Sequence, residues 1–329
     1  MTGFRTLILV VFSVLTSAVS VPARAAPDAL ASWNDGSVKK AIVGYVTSVS
    51  QSGSPQLIAP ADRIAVFDID GTIWPEQPVA EVAFMLSRVK DMVVRNPDLR
   101  SQPPYDSLFA KGAEILPSLP QADILKIFVD THSGMTEDDF TTQVREFFYT
   151  AKHPLFGVPY ARTVYQPMLE LIAYLRANGF KIFLSTNGDI AFARAISADY
   201  FGVPAENVIG TYFTETVEEN GGRLRVVRQP KLGAYSDREG KIGAIARHIG
   251  KRPVFVAGNV GSGGDAHMAR FSMEGLKPSL QILINHDDAA RERAYGSDDR
   301  LSLDWAKSYG WQLVSMKSDW KRIFGANSQ

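Results

Sequence analysis

An apolar run that ends abruptly on two carboxylates is the most constraining feature of this sequence. Arg63-Ile64-Ala65-Val66-Phe67 leads directly into Asp68-Ile69-Asp70-Gly71-Thr72. Short, rich in β-branched and aromatic residues and closed by a glycine loop, the run predicts a buried strand over 63–67. Asp68 and Asp70 then stand at its C-terminal end, the edge of an open α/β sheet where ligands bind. Strand side chains alternate faces, but beyond Asp68 the chain leaves the strand and both carboxylates can turn toward one site. Two acids so close repel unless a cation neutralises one or one keeps its proton. A divalent metal does the first, and general acid catalysis uses the second. Alone, an Asp-x-Asp pattern reads more simply as an Asx turn at a strand end. The rest of the chain has to decide.

Downstream, helical and strand patterns alternate. Pro167 to Asn178 predicts an amphipathic helix, Phe180 to Leu184 a buried strand, and Ile190 to Phe201 a helix closed by Gly202. Val208 to Phe213 reads as a strand and Glu218 to Val227 as a hairpin around Asn220-Gly221-Gly222. Lys241 to Ile249 is a helix, Val254 to Ala257 a strand and Gly258 to Asp265 a glycine-rich loop, with further strands at Leu280 to Ile284 and Gln312 to Val314. This alternation predicts an α/β fold: a Rossmann-like, mostly parallel sheet with helices on both faces. Residues 78–154 show helical periodicity without strands, so a helical cap is expected after the first strand. The core then comprises 61–77 and 155–329. His132 and His153 fall near helix ends of the insertion, where surface or capping roles are expected and substrate contact is the alternative.

The N-terminus reads as a targeting segment. Arg5 precedes an apolar stretch from Leu7 to Val19, and Ala23-Arg24-Ala25 offers a cleavage site. Residues 1–25 are therefore expected to be a cleaved signal peptide, giving export across the inner membrane, periplasmic in a Gram-negative source, with no membrane attachment afterwards. Residues 26–60 predict a helix through Ala41, Ile42, Tyr45 and Val46, then a linker. The formal net charge is +0, which gives no reason to expect a nucleic-acid partner. With 0 cysteines, disulfides, thiolate zinc sites and cysteine nucleophiles are excluded.

Three predicted strands end in polar groups suited to one site. The first ends in Asp68 and Asp70, another in Ser185-Thr186-Asn187, a third in Asn259 followed by Ser262 and Asp265. In a parallel sheet these ends share one edge. Hydroxyls and backbone N–H groups ahead of a helix suit a phosphate, and carboxylates on a glycine loop suit a hard cation. Lys241 could offset the negative charge there, with Lys231 as the second basic candidate. Trp74, Glu76, Tyr160 and Tyr165 flank the insertion, as hinge packing or as substrate contacts. Ser262 is either an accessory ligand or a turn residue.

In this order the motifs resemble those of the haloacid dehalogenase superfamily. Asp68-Ile69-Asp70-Gly71-Thr72 matches its first motif, Ser185 its second, Lys241 its basic third, and the 258–265 loop stands in place of its acidic fourth. The wider string, from Ser32-Trp33-Asn34-Asp35 through Tyr165-Gln166-Pro167-Met168 to Asp319-Trp320-Lys321-Arg322, resembles an exported phosphoserine-phosphatase-like branch. The resemblance implies that Asp68 is a nucleophile forming a phosphoaspartyl intermediate and that Asp70 is the general acid and base. It implies phosphate contacts from Ser185, Thr186, Lys241 and Gly71. It also implies Mg²⁺ on Asp68, Asp70 and an oxygen of Asn259 or Asp265. Asn259 departs from the pattern, because an aspartate usually follows that glycine. The implied activity is Mg²⁺-dependent hydrolysis of a small phosphorylated metabolite. The rivals are a non-catalytic binding protein on the same scaffold and phosphoryl transfer to an acceptor other than water.

Overall fold

Side chains that alternate between the two faces of the sheet build a core on each face. A computed structural model describes residues 29–261 and 263–325; the expected signal segment, and Ser262, lie outside the described residues. Seven strands are present among them: β1 (Ile64–Phe67), β2 (Lys181–Asp189), β3 (Val208–Asn220), β4 (Arg223–Ala234), β5 (Phe255–Asn259), β6 (Leu280–Asn285) and β7 (Gln312–Ser315). They pair in the order β4-β3-β2-β1-β5-β6-β7. All pairings are parallel except β3 with β4. Parallel sheets bury both faces, and all four residues of β1 are buried. Ala65 and Phe67 belong to one core, Ile64 and Val66 to the other. The same split separates Ile182 and Leu184 from Phe183, and Ile282 and Ile284 from Leu283. Burying each large apolar side chain favours folding by about 1.5–3 kcal/mol, so a charge at Val66 would break the second core at its centre.

The helices are α1 (Ser37–Ser50), α2 (Ala80–Arg95), α3 (Tyr105–Lys111), α4 (Gln121–His132), α5 (Glu137–Thr150), α6 (Gln166–Ala177), α7 (Ile190–Phe201), α8 (Glu239–Ile249), α9 (Gly264–Met273), α10 (Arg300–Tyr309) and α11 (Met316–Asp319). Helices α1, α6 and α7 supply one core, and α8, α9 and α10 the other. Helix α1 buries Val38, Ile42, Val46 and Val49, a spacing that lays one stripe on the sheet. No helix among the described residues is long and apolar enough to cross a membrane.

Helices α2 to α5 form the insertion between β1 and β2, and they are not a separate body throughout. Met85, Val89, Tyr105, Leu108 and Ile127 make a small core of their own. Phe84, Phe140, Val144 and Phe148 instead join the first sheet core. Thr136 caps α5, accepting a hydrogen bond from the Asp139 N–H at 3.1 Å. The antiparallel pair differs from expectation. Strand and hairpin merge into one long ribbon, β3 and β4, turning at Gly221 and Gly222, both at positive φ. The turn falls where the Asn220-Gly221-Gly222 hairpin was expected, and what the sequence did not mark is the continuous pairing through 214–217 and 228–234 that joins it to the sheet. The ribbon is held against the insertion where Gly134 N–H donates to the Arg228 carbonyl and Arg228 N–H to the Met135 carbonyl, both at 2.9 Å.

Candidate active site

The C-terminal edge of β1 is where the predicted residues meet. Asp68 N–H still donates into the ladder, to the Ala257 carbonyl at 2.9 Å, before the chain turns. The turn closes on the Ile69 carbonyl, which accepts from Thr72 N–H at 3.1 Å and Ile73 N–H at 2.8 Å. Gly71 has φ +71°, and a Cβ there would overlap the Asn259 side chain, so only glycine lets the two loops close. Register completes the alignment. Phe67 pairs with Leu184 and with Ala257, placing Asp68 level with Ser185 on one side and Gly258 on the other.

Lys241, near the start of α8, is buried between carboxylates. Its Nζ donates to Asp68 Oδ1 and, at 2.6 Å, to Asp265 Oδ1. Asp265 Oδ2 accepts from the Asn259 N–H at 2.9 Å. Asp265 was expected as a possible metal ligand. One of its oxygens meets Lys241 and the other fixes the start of the glycine loop. Asn259 Nδ2 donates to Glu76 Oε1 at 2.8 Å, which turns its amide oxygen away from Glu76. Asp70 Oδ1 accepts from Trp74 Nε1–H at 2.7 Å. Ser185 Oγ is buried and has no hydrogen-bond partner. Thr186 Oγ1 accepts from the Gly188 N–H at 3.0 Å and so bonds its own loop.

Carboxylates outnumber cations here, and burial makes that costly. Burial and the neighbouring Asp265 charge push Asp68 well above the usual carboxylate range, while Lys241 pulls it down. Burial raises Asp70 to about 6 against the lowering effect of the Trp74 bond. Burial also raises Glu76 to about 7. For Lys241, burial disfavours the charge but the Asp265 and Asp68 carboxylates outweigh it, so the ammonium is held protonated.

Of the other expected residues, Lys231 is exposed on β4 and takes no part. Tyr160 and Tyr165 are buried packing residues, Tyr165 donating to Glu292 at 2.6 Å. His132 and His153, expected at the surface, are both 0 % exposed, because aromatic rings enclose them at the base of the insertion. The segment after β6 had not been singled out. His286 Nε2–H donates to the Gly71 carbonyl at 2.8 Å, and Tyr295 stacks on His286 at 4.2 Å. Asp299 Oδ2 accepts from Gly261 and Gly263 N–H at 3.0 and 3.1 Å, fixing the glycine loop from outside. Residues 286–299 carry no periodicity or motif, so only their contacts reveal this role.

Fold and site together define an α/β protein with acids and a lysine gathered on one edge of a mostly parallel sheet. Residues 63–222 match the family model for haloacid dehalogenase-like hydrolases, and over that stretch the chain is similar to that family. No protein of curated function matches the sequence. A conserved protein of unknown function from Anaerococcus prevotii DSM 20548 is similar in structure, with TM-score 0.56 and 14% identity, over 87% of this chain and 94% of that one. A cytosolic 5'-nucleotidase IIIB bound to cytidine gives TM-score 0.43 and 12% identity over 84% of each chain. A phosphoserine phosphohydrolase-like protein from Francisella tularensis subsp. tularensis SCHU S4 gives 0.40 and 14%, over 77% of this chain and 94% of that one.

Proposed function

We propose that this protein is a Mg²⁺-dependent phosphatase that hydrolyses a small phosphomonoester through a phosphoaspartyl intermediate. One observation carries the reading. A buried serine hydroxyl without a partner stands level with a buried carboxylate that a lysine already holds. An orphaned buried hydroxyl costs about 1–3 kcal/mol, and a phosphate oxygen would satisfy it.

The donor set fits a hard divalent cation. Asp68, Asp70 and Asp265 face the single Lys241 charge. Among the described residues neither the Asp70 carbonyl nor the Asn259 amide oxygen accepts a hydrogen bond. Asp68, the Asp70 carbonyl and Asn259 Oδ1 would hold Mg²⁺, with Asp265 left to Lys241. When bound, the ion stabilises charge on the transferring phosphoryl group.

The remaining chemistry belongs to the chain. An Asp68 carboxylate oxygen attacks phosphorus, and the bond to the leaving oxygen breaks with its electron pair. Asp70, raised toward neutrality, gives that oxygen a proton and then takes one from the water that cleaves the phosphoaspartate. Ser185 and Lys241 steady the phosphate oxygens, and Trp74 orients Asp70.

The test is phosphate release from p-nitrophenyl phosphate and a panel of phosphorylated metabolites, with and without Mg²⁺. Asp68→Asn should lower turnover by about 10³-fold or more; a variant that kept its rate would remove Asp68 as the nucleophile. Export is part of the proposal. It rests on the Arg5, Leu7–Val19 and Ala23-Arg24-Ala25 pattern, and mass spectrometry of the protein from its native source should find a chain beginning at Ala26.

A further inference from the structure

Beside the catalytic residues, at the β2 end of the same sheet edge, a second group of buried ionisable side chains joins the insertion to the sheet. Glu81 lies in the first turn of α2, His132 ends α4, and Asp189 ends β2 and caps α7. All three are buried, and one ligand atom from each lies within 4.8 Å of the other two. We propose that Glu81, His132 and Asp189 form a divalent transition-metal site that fastens the inserted helices to the β2 loop. The inference stands apart from the phosphatase reading, since none of the three is assigned to catalysis.

The tautomer of His132 is the first support. Its Nδ1 faces the Phe128 carbonyl at 3.0 Å and Thr131 Oγ1 at 2.8 Å. Thr131 Oγ1 donates its own proton to the Ile127 carbonyl at 2.7 Å. Both neighbours therefore accept, and Nδ1 must carry the ring proton. That leaves Nε2 as a bare lone pair, 0 % exposed and without a hydrogen-bond partner. It points at Glu81 Oε1, 3.5 Å away. Two acceptors facing each other in a dry site need something positive between them. An imidazole whose second nitrogen donates to a backbone carbonyl is the arrangement found at metal-bound histidines.

Charge gives the second support. Arg228 donates to Asp189 and, at 2.6 Å, to Glu137. One guanidinium thus meets three carboxylates once Glu81 is counted. A divalent cation brings the set to neutrality, with Arg228 orienting the Asp189 carboxylate from behind. The ligands are already held. Glu81 Oε1 accepts from Asp189 N–H at 2.9 Å, and Asp189 Oδ1 from Ala191 N–H at 3.0 Å. A Cβ at position 188 would overlap Glu81 Oε2, so Gly188 admits the carboxylate. One nitrogen and two carboxylates suit Zn²⁺ or Co²⁺ better than Mg²⁺, which prefers oxygen alone. The rival occupant is a proton shared between Glu81 and His132.

Titrating Co²⁺ and Zn²⁺ into the mature protein in excess Mg²⁺ separates these cases. Expected are one Co²⁺ per chain with visible ligand-field absorption, and a Zn²⁺ X-ray absorption spectrum showing one imidazole. Both should persist in Asp68→Asn and vanish in His132→Gln, while Glu81→Gln should weaken binding at least about 10-fold. If His132→Gln does not fold, wild type against Glu81→Gln decides by the same affinity ratio. The proposal is overturned if Mg²⁺ displaces all bound Co²⁺, if no imidazole appears in the wild-type spectrum, or if it survives in His132→Gln.

Discussion

Lys241 and Arg228 are both buried cations facing two carboxylates, yet their surroundings differ. Lys241 reaches Asp68 and Asp265 with a single ammonium, and beside it stand an unpartnered serine hydroxyl and a second aspartate. Arg228 is satisfied all round. Its guanidinium reaches Asp189, Glu137 and the His132 carbonyl, the last at 2.6 Å. The rings of Phe140 and Phe213 lie 4.2 and 4.8 Å from it. A fork of fixed donors between rings makes a clasp, whereas a point charge on a flexible stem leaves room for a ligand. Function follows the unmet hydrogen-bonding capacity, and in the Arg228 region that capacity sits on His132 Nε2.

Substitutions that leave one side of each cluster unpaired test this division. Lys241→Met should lower phosphate release by about 10²–10³-fold and destabilise the fold by about 3–5 kcal/mol, measured by turnover and by urea unfolding. Arg228→Met should cost a similar about 3–5 kcal/mol but lower turnover less than about 10-fold. Equal losses of turnover in both would end the distinction between clasp and reaction site. A smaller effect is expected at Trp74→Phe. It removes the donor on Asp70, worth about 1 kcal/mol or roughly 5-fold in turnover, with little change in KM.

The gentlest probe uses His153, outside both clusters. Burial pushes its pKa down from 6.5 to about 4. Below pH 6.5 the unfolded chain takes up a proton that the folded chain refuses. The stabilisation is therefore complete above 6.5, declines as pH falls toward 4, and is flat beneath that. His132 is shifted in the same direction by burial, also to about 4. Urea midpoints across this range should fall less steeply in His153→Gln than in wild type; an unchanged slope would show that His153 binds its proton equally in the native and unfolded states.

Much of the candidate site was legible because each part sits at a strand end, where pattern and chemistry coincide. The apolar run to Phe67, the serine after Leu184 and the glycines after Ala257 lie in segments with clear burial periods. The tip of the β3–β4 ribbon was legible from Asn220-Gly221-Gly222, but its continuation through 214–217 and 228–234 was not, because those residues carry no clear burial period. His132 looked like an unremarkable helix end, and nothing local foretold that Phe128, Phe140 and Phe213 would close over it. Arg228, Glu292, Tyr295 and Asp299 act only through partners distant along the chain.

Alternating apolar runs determined by themselves that the chain forms a parallel sheet with acids on its ligand edge, since burial of both sheet faces is written into the strands. Which of those acids meet Lys241 was decided by tertiary structure. Asp265 turned both oxygens inward and left Asn259 facing the site, because α8 delivers a single ammonium between β1 and the start of α9. Spacing along a chain does not encode that geometry.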